Sequence, residues 1–134
     1  MDLRQYTQRT VQTATPGQLV VMLYDGMIRF FTQARAAMES GDVQTMNERV
    51  GRGLAIVTEL RCSLNLEAGG QIASNLDALY DFAFRRIVDG QIQHEASIIG
   101  EVVSVLDPIR DAWTTAVCGA AAPVTELRSV GAGA

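Results

Sequence analysis

The 134-residue chain contains no lysine, so all 11 of its basic residues are arginine. Schiff-base lysine chemistry and a Walker-type phosphate loop are therefore excluded. It has one histidine, His94, and two cysteines, Cys62 and Cys118, with no Cys-x-x-Cys pair. A four-ligand zinc site of Cys/His type cannot be assembled from one such chain. Positive charge is also scarce: 11 arginines against 15 acidic residues leave a net charge of −4. Phosphate contacts need a basic face, so nucleic-acid binding is disfavoured. The opening residues Met1-Asp2-Leu3-Arg4-Gln5-Tyr6 show no basic-then-apolar leader, and the longest apolar run is the six residues Leu19–Tyr24. Neither a secretory leader nor membrane insertion is expected, which makes the cytoplasm, with both thiols reduced, the default location.

What the chain does contain is aliphatic periodicity. Leu, Ile, Val and Phe supply 36 of the 134 residues, more than the ~20% below which disorder is expected. A chain this long makes one domain and buries roughly two-thirds of its unfolded surface. Thr15-Pro16-Gly17-Gln18 reads as a helix start, with Thr15 as N-cap, Pro16 at N1 and Gln18 completing a capping box. Leu19, Met22, Leu23, Met27, Phe30, Phe31, Ala34 and Met38 then recur at helical spacing up to Gly41, a C′ glycine. Asp42 caps a second helix whose seam, Val43, Met46, Val50, Gly53, Val57, Leu60 and Leu64, steps by three and four. A glycine in that seam suits a place where a neighbouring helix comes close. After Gly69-Gly70 breaks the pattern, Ile72, Leu76, Leu79, Ala83 and Ile87 form a third stripe ending at Gly90. A fourth runs from about Gln93 or His94 to Ala116, with Pro108 inside it and a kink expected near Ser104 to Pro108.

Four helical patterns with short connections predict an all-α, antiparallel up-down four-helix bundle. The expected organisation is an N-terminal arm over residues 1–14, a bundle over 15–118 and a disordered tail over 119–134. Candidate chemistry is thin. His94 beside Glu95 reads as a capping or exposed residue, and no Glu-x-x-His pair exists to build a di-metal site. No catalytic residue, metal or cofactor is expected. Cys62 and Cys118 read as buried or half-buried thiols, reduced and silent. The unit Leu-Tyr-Asp occurs twice, at Leu23-Tyr24-Asp25 and Leu79-Tyr80-Asp81. Its plainer reading puts each leucine in the core and each tyrosine at the core edge with its hydroxyl in water; its sharper reading makes the tyrosines partner contacts. Apolar residues also exceed what a bundle core uses: Val20 to Tyr24 circle the first helix, Phe82 and Phe84 lie off the third stripe, and Ile98-Ile99 and Val102-Val103 double the fourth. The surplus either thickens the core or forms a groove that takes an amphipathic helix.

The ordered string Tyr6, Val11, Thr13 to Leu19, then Met22-Leu23-Tyr24-Asp25-Gly26 resembles the flagellar secretion chaperone family FliS. The likeness continues through Asn47 to Leu60, Leu79-Tyr80-Asp81, Arg85-Arg86, Glu101-Val102 and Ile109 to Trp113, covering about residues 3–117. Gly51, Gly53 and Pro108 depart from the family pattern. The resemblance implies a non-enzymatic cytoplasmic chaperone that binds the C-terminal segment of flagellin, blocks its premature polymerisation and delivers it to the export gate of the flagellar type III apparatus. Leu60, Leu64, Leu76, Tyr80 and Ile98 are the candidate groove residues. Leu3, Tyr6 and Val11, isolated apolar points in a polar arm, are candidates for a displaceable cap over that groove, with Tyr6 also a contact for the gate; the alternative is a plain disordered terminus. The competing functional reading is a structural bundle that self-associates, as a homodimer, through the same apolar face.

Overall fold

The computed structural model describes residues 14–120, and the only regular secondary structure among them is α-helix. Four helices follow one another: α1 (Pro16–Glu39), α2 (Val43–Cys62), α3 (Leu66–Gln93) and α4 (Ala96–Ala120). Each packs on two neighbours in the ring α1–α2–α3–α4, and the contacts of α1 with α2 and α4 are the most extensive. Connections of two or three residues leave each helix antiparallel to the one before it, as an up-down bundle requires. The arm residues Leu3, Tyr6 and Val11 and the tail beyond Ala120 lie outside the described residues.

The starts and stops follow local chemistry. Thr15 Oγ1 accepts from the Gln18 N–H at 3.2 Å while Gln18 Oε1 accepts from the Thr15 N–H at 2.9 Å, a closed capping box. Gly41 takes φ 80° and ends α1. Asp42 caps α2 by accepting from the Thr45 N–H at 3.1 Å. Those interactions with Thr45, through its side chain and its backbone N–H, hold the exposed Asp42 carboxyl below the ordinary carboxylate range.

Four boundaries, both ends of α3 and both ends of α4, differ from the sequence expectation. α3 begins before the glycine pair, at Leu66, because Asn65 caps a first turn by accepting from the Ala68 N–H at 3.0 Å. Gly70 then breaks the helix with φ 55° and ψ −133°, a conformation that a side chain disfavours. The same helix passes Gly90 and stops at His94, whose left-handed φ 58° and ψ 42° make it the C-cap. α4 starts at Ala96, continues past Ala116 to Ala120, and runs through Pro108 as a single helix.

The core is continuous and apolar. Met27, Phe31 and Ala34 of α1, Met46, Val50 and Val57 of α2, Ala83 and Ile87 of α3, and Ile99, Val102 and Leu106 of α4 are buried together. Gly53 in the α2 seam lies under Phe31: a Cβ there would sit 2.6 Å from the ring's Cδ1 and 2.9 Å from its Cζ. The close approach expected at this glycine is therefore made by an aromatic ring. The apolar doublets of α4 thicken the core, since Ile98, Ile99 and Val102 are all buried.

Candidate partner-binding site

The pole where α1 and α3 begin and α2 and α4 end is not filled. Between those four ends lies an open apolar groove of about 470 Å³. α2 contributes Leu60, the α2–α3 connection contributes Ser63, Leu64 and Asn65, the first turns of α3 contribute Ala68, Gly69, Ile72, Ala73, Leu76 and Tyr80, and Val20 of α1 and Trp113 of α4 complete the lining. The break at Gly70 is what places the turn Leu66–Gly69 beside the groove instead of in line with α3. Two large apolar side chains stand in solvent around that break, Leu66 at 54% and Ile72 at 73% exposure.

Four of the five groove candidates meet here. Leu60 and Tyr80 form buried floor, and Leu64 and Leu76 are half-buried wall. Ile98 does not join them: it is buried at the opposite pole, against Gly90. Val20, Ile72 and Trp113 line the groove without having been singled out for it. Ile72 belongs to the third apolar stripe and Trp113 to the apolar pattern of α4. Only the opening of the bundle at this pole distinguishes them from core.

Beneath the groove, the two tyrosines of the Leu-Tyr-Asp units touch. Tyr24 and Tyr80 are 0% and 1% exposed, and their hydroxyls share a 2.7 Å hydrogen bond across the bundle. The rings of Tyr80 and Trp113 lie 6.3 and 6.5 Å from that of Tyr24. This overturns the plainer reading of the repeat: the tyrosines are core and their hydroxyls are dry, while Leu23 and Leu79 are the half-buried residues. A buried hydroxyl needs a partner, and here each tyrosine provides it for the other. Burial raises both hydroxyls above the ordinary tyrosine value of 10.0; the Tyr80 hydroxyl and the Trp113 indole oppose the rise at Tyr24, whereas Tyr24 adds to it at Tyr80. Both stay protonated through the physiological range and act as a hydrogen-bonded strut.

The remaining sequence candidates carry no chemistry. His94 is exposed. Cys62 and Cys118 are free and exposed, contrary to the expectation of buried or half-buried thiols. Each borders an open crevice between helices, Cys62 between α2 and α3 and Cys118 between α1 and α4. No group of three or more His, Cys, Asp or Glu residues able to hold a metal occurs among the described residues. No helix among them is long and apolar enough to cross a membrane.

Residues 2–120 match the family described as flagellar protein FliS. The chain belongs to the FliS family. It is 35% identical over 112 residues to the flagellar secretion chaperone FliS of Bacillus subtilis, covering 84% of this chain and 83% of that protein. Against the FliS proteins of Vibrio cholerae and Salmonella typhimurium the identity is 36% over 103 and 107 residues, with 77% and 79% of this chain covered, and 76% and 79% of theirs. The crystal structure of a flagellar chaperone from bacteria shares the fold, with a TM-score of 0.71 at 23% identity, covering 85% of this chain and 96% of that one. FliS proteins are chaperones of flagellar export and not enzymes, and an open groove with no acid–base constellation suits that role.

Proposed function

We propose that this FliS chain holds the C-terminal segment of flagellin in the groove at its open pole, in the cytoplasm, keeps it from polymerising early and passes it to the flagellar type III export gate. The observation that supports this reading is apolar surface left unfilled at the open pole: Leu64, Ile72, Leu76 and Trp113 surround a concavity that the bundle's own residues do not close. A disordered segment that folds as an amphipathic helix can fill it. Each large apolar side chain buried contributes ~1.5–3 kcal/mol, which offsets the ordering cost of the segment. No nucleotide is needed, because binding and release are both differences in apolar burial.

The arm fits the same scheme. α1 starts at the open pole and its fifth residue, Val20, already lines the groove, so the chain preceding Thr15 leaves the helix beside it. In this proposal Leu3, Tyr6 and Val11 cover the groove until a client displaces them. Deletion of residues 1–12 then raises the client on-rate or the binding of a hydrophobic dye; a deletion that changes neither removes the cap from the account.

Titration calorimetry tests the main reading. Flagellin with its C-terminal segment should bind and flagellin without it should not. Leu64→Glu and Leu76→Glu should each weaken binding at least tenfold while circular dichroism stays helical. Light scattering separates the competing reading: a 1:1 complex supports a chaperone, and a homodimer indifferent to flagellin supports a self-associating bundle.

A further inference from the structure

Three of the four seams of the bundle are crossed by ion pairs. Arg61–Asp77 at 2.7 Å joins α2 to α3, Arg86–Glu101 at 3.1 Å joins α3 to α4, and Arg110–Asp25 at 3.6 Å joins α4 to α1. The α1–α2 seam has no such pair among the described residues. Its two guanidiniums lie over the ring of Phe30 instead, Arg29 at 5.4 Å and Arg52 at 5.8 Å from the centroid. Arg52 is paired within its own helix to Glu48, and Arg29 meets no described carboxylate at ion-pair distance.

Alongside this cationic end runs a second apolar groove of about 420 Å³, floored by Leu19, Met22, Leu23 and Ile56. It shares no lining residue with the groove at the open pole. From Leu19 to Phe30 it extends about 16 Å at 1.5 Å per residue, three turns of helix. Its ends differ in charge, with Arg29 at the Phe30 end and Glu59 at the other.

We propose that the α1–α2 face is a second docking surface, and that its occupant is an amphipathic helix of another protein with carboxylates at one end. The apolar stripe of that helix fills the groove. Its carboxylates meet Arg29 and Arg52, and Glu59 repels them from the far end, which fixes the orientation. The rest of the molecule is net acidic, so an acidic helix is turned away elsewhere and steered here. Since the two grooves have separate linings, a client in one leaves the other free for a delivery partner.

The test uses the full chain and a 14-residue synthetic peptide with leucines at i, i+3, i+4 and i+7, glutamines elsewhere and two glutamates in its last turn. The comparison peptide carries glutamine in place of both glutamates. In fluorescence anisotropy at low salt, the glutamate peptide should bind about fivefold tighter, the effect of an exposed ion pair near the top of its range. Added salt should shrink that advantage. Arg29→Glu with Arg52→Glu, both at exposed positions, should make the glutamate peptide the weaker binder, and a peptide with two lysines there should regain affinity. Equal affinity of the glutamate and glutamine peptides, or an advantage that survives the double reversal, overturns the proposal. So does loss of binding in Leu64→Glu, which would put the peptide in the other groove, or a homodimer that the double reversal dissolves, which would put a second copy on this face.

Discussion

The two halves of the bundle are built from the same kind of sequence and end in different states. In one half, the C-terminal part of α1, the start of α2, the end of α3 and the start of α4 close on each other. Phe31, Ala34, Met46, Val50, Ile87, Ile99 and Val102 are buried there. In the other half, Val20, Leu23, Leu64, Leu76, Ile109 and Trp113 are only partly covered. The closed half is packed tightly, down to a ring seated on Gly53, and is tied at its surface by Arg86–Glu101 and Gln91–Asn47. The open half is held by a tyrosine pair at its base and interrupted by Gly70. Helical periodicity makes a residue face inward; only the neighbouring helix ends decide whether something fills the space in front of it. Under the proposed function, stability belongs to the first half and recognition to the second.

The largest effect expected from breaking this contrast is Phe31→Ala. It removes the ring over Gly53 from the closed half and should cost ~3–5 kcal/mol in chemical denaturation. A cost below ~1 kcal/mol would mean that this half is not the stable one. Next is Tyr24→Phe, which leaves the Tyr80 hydroxyl buried without its partner and should cost ~1–3 kcal/mol. The double change Tyr24→Phe with Tyr80→Phe should cost less than the sum of the single changes, because neither hydroxyl is then stranded; strict additivity in the cycle would deny the coupling.

The same pair gives a pH dependence. Both tyrosines titrate above 10.0 in the folded chain because burial disfavours the phenolate. Unfolded tyrosines ionise near 10, so this contribution to stability is complete below that pH and is lost as pH rises above it toward the folded values. The denaturation midpoint should therefore fall more steeply above about pH 10 in the native chain than in the double phenylalanine variant. The smallest expected effect on stability is Ile72→Gln, within ~0.5 kcal/mol, because Ile72 is 73% exposed. If the open half is the recognition half, the same change weakens flagellin binding.

Much of the fold was legible because its signals are local. The capping box at Thr15 and Gln18, the turn at Gly41 and the N-cap at Asp42 each lie within a few residues of the element they terminate. Boundaries failed where two local signals competed. Asn65 captured a turn before the glycine pair, and the helix ran past Gly90, where its stripe ends, to a left-handed cap at His94. The candidate site was legible in its leucines: Leu60 and Leu64 end the second stripe and Leu76 lies in the third, just past the glycine pair at the open pole. It was misread where the answer depends on contact across the bundle. Tyr24 and Tyr80 are 56 positions apart, and no helical repeat shows that their hydroxyls meet. Ile98 has the same spacing as a groove residue and differs only in lying at the filled pole. Cys62 and Cys118 each sit two positions from a stripe residue, Leu60 and Ala116, which turns both thiols away from the core and into solvent.

Hydrogen exchange measured by mass spectrometry, on the full chain with and without the flagellin C-terminal segment, tests the division into halves most directly. The account predicts added protection in the segment 60–80 and in the second half of α4 around Trp113, with little change over Met46 to Val50 and Ile98 to Val102. Protection confined to the closed half, or none in either half when flagellin is bound, would contradict it.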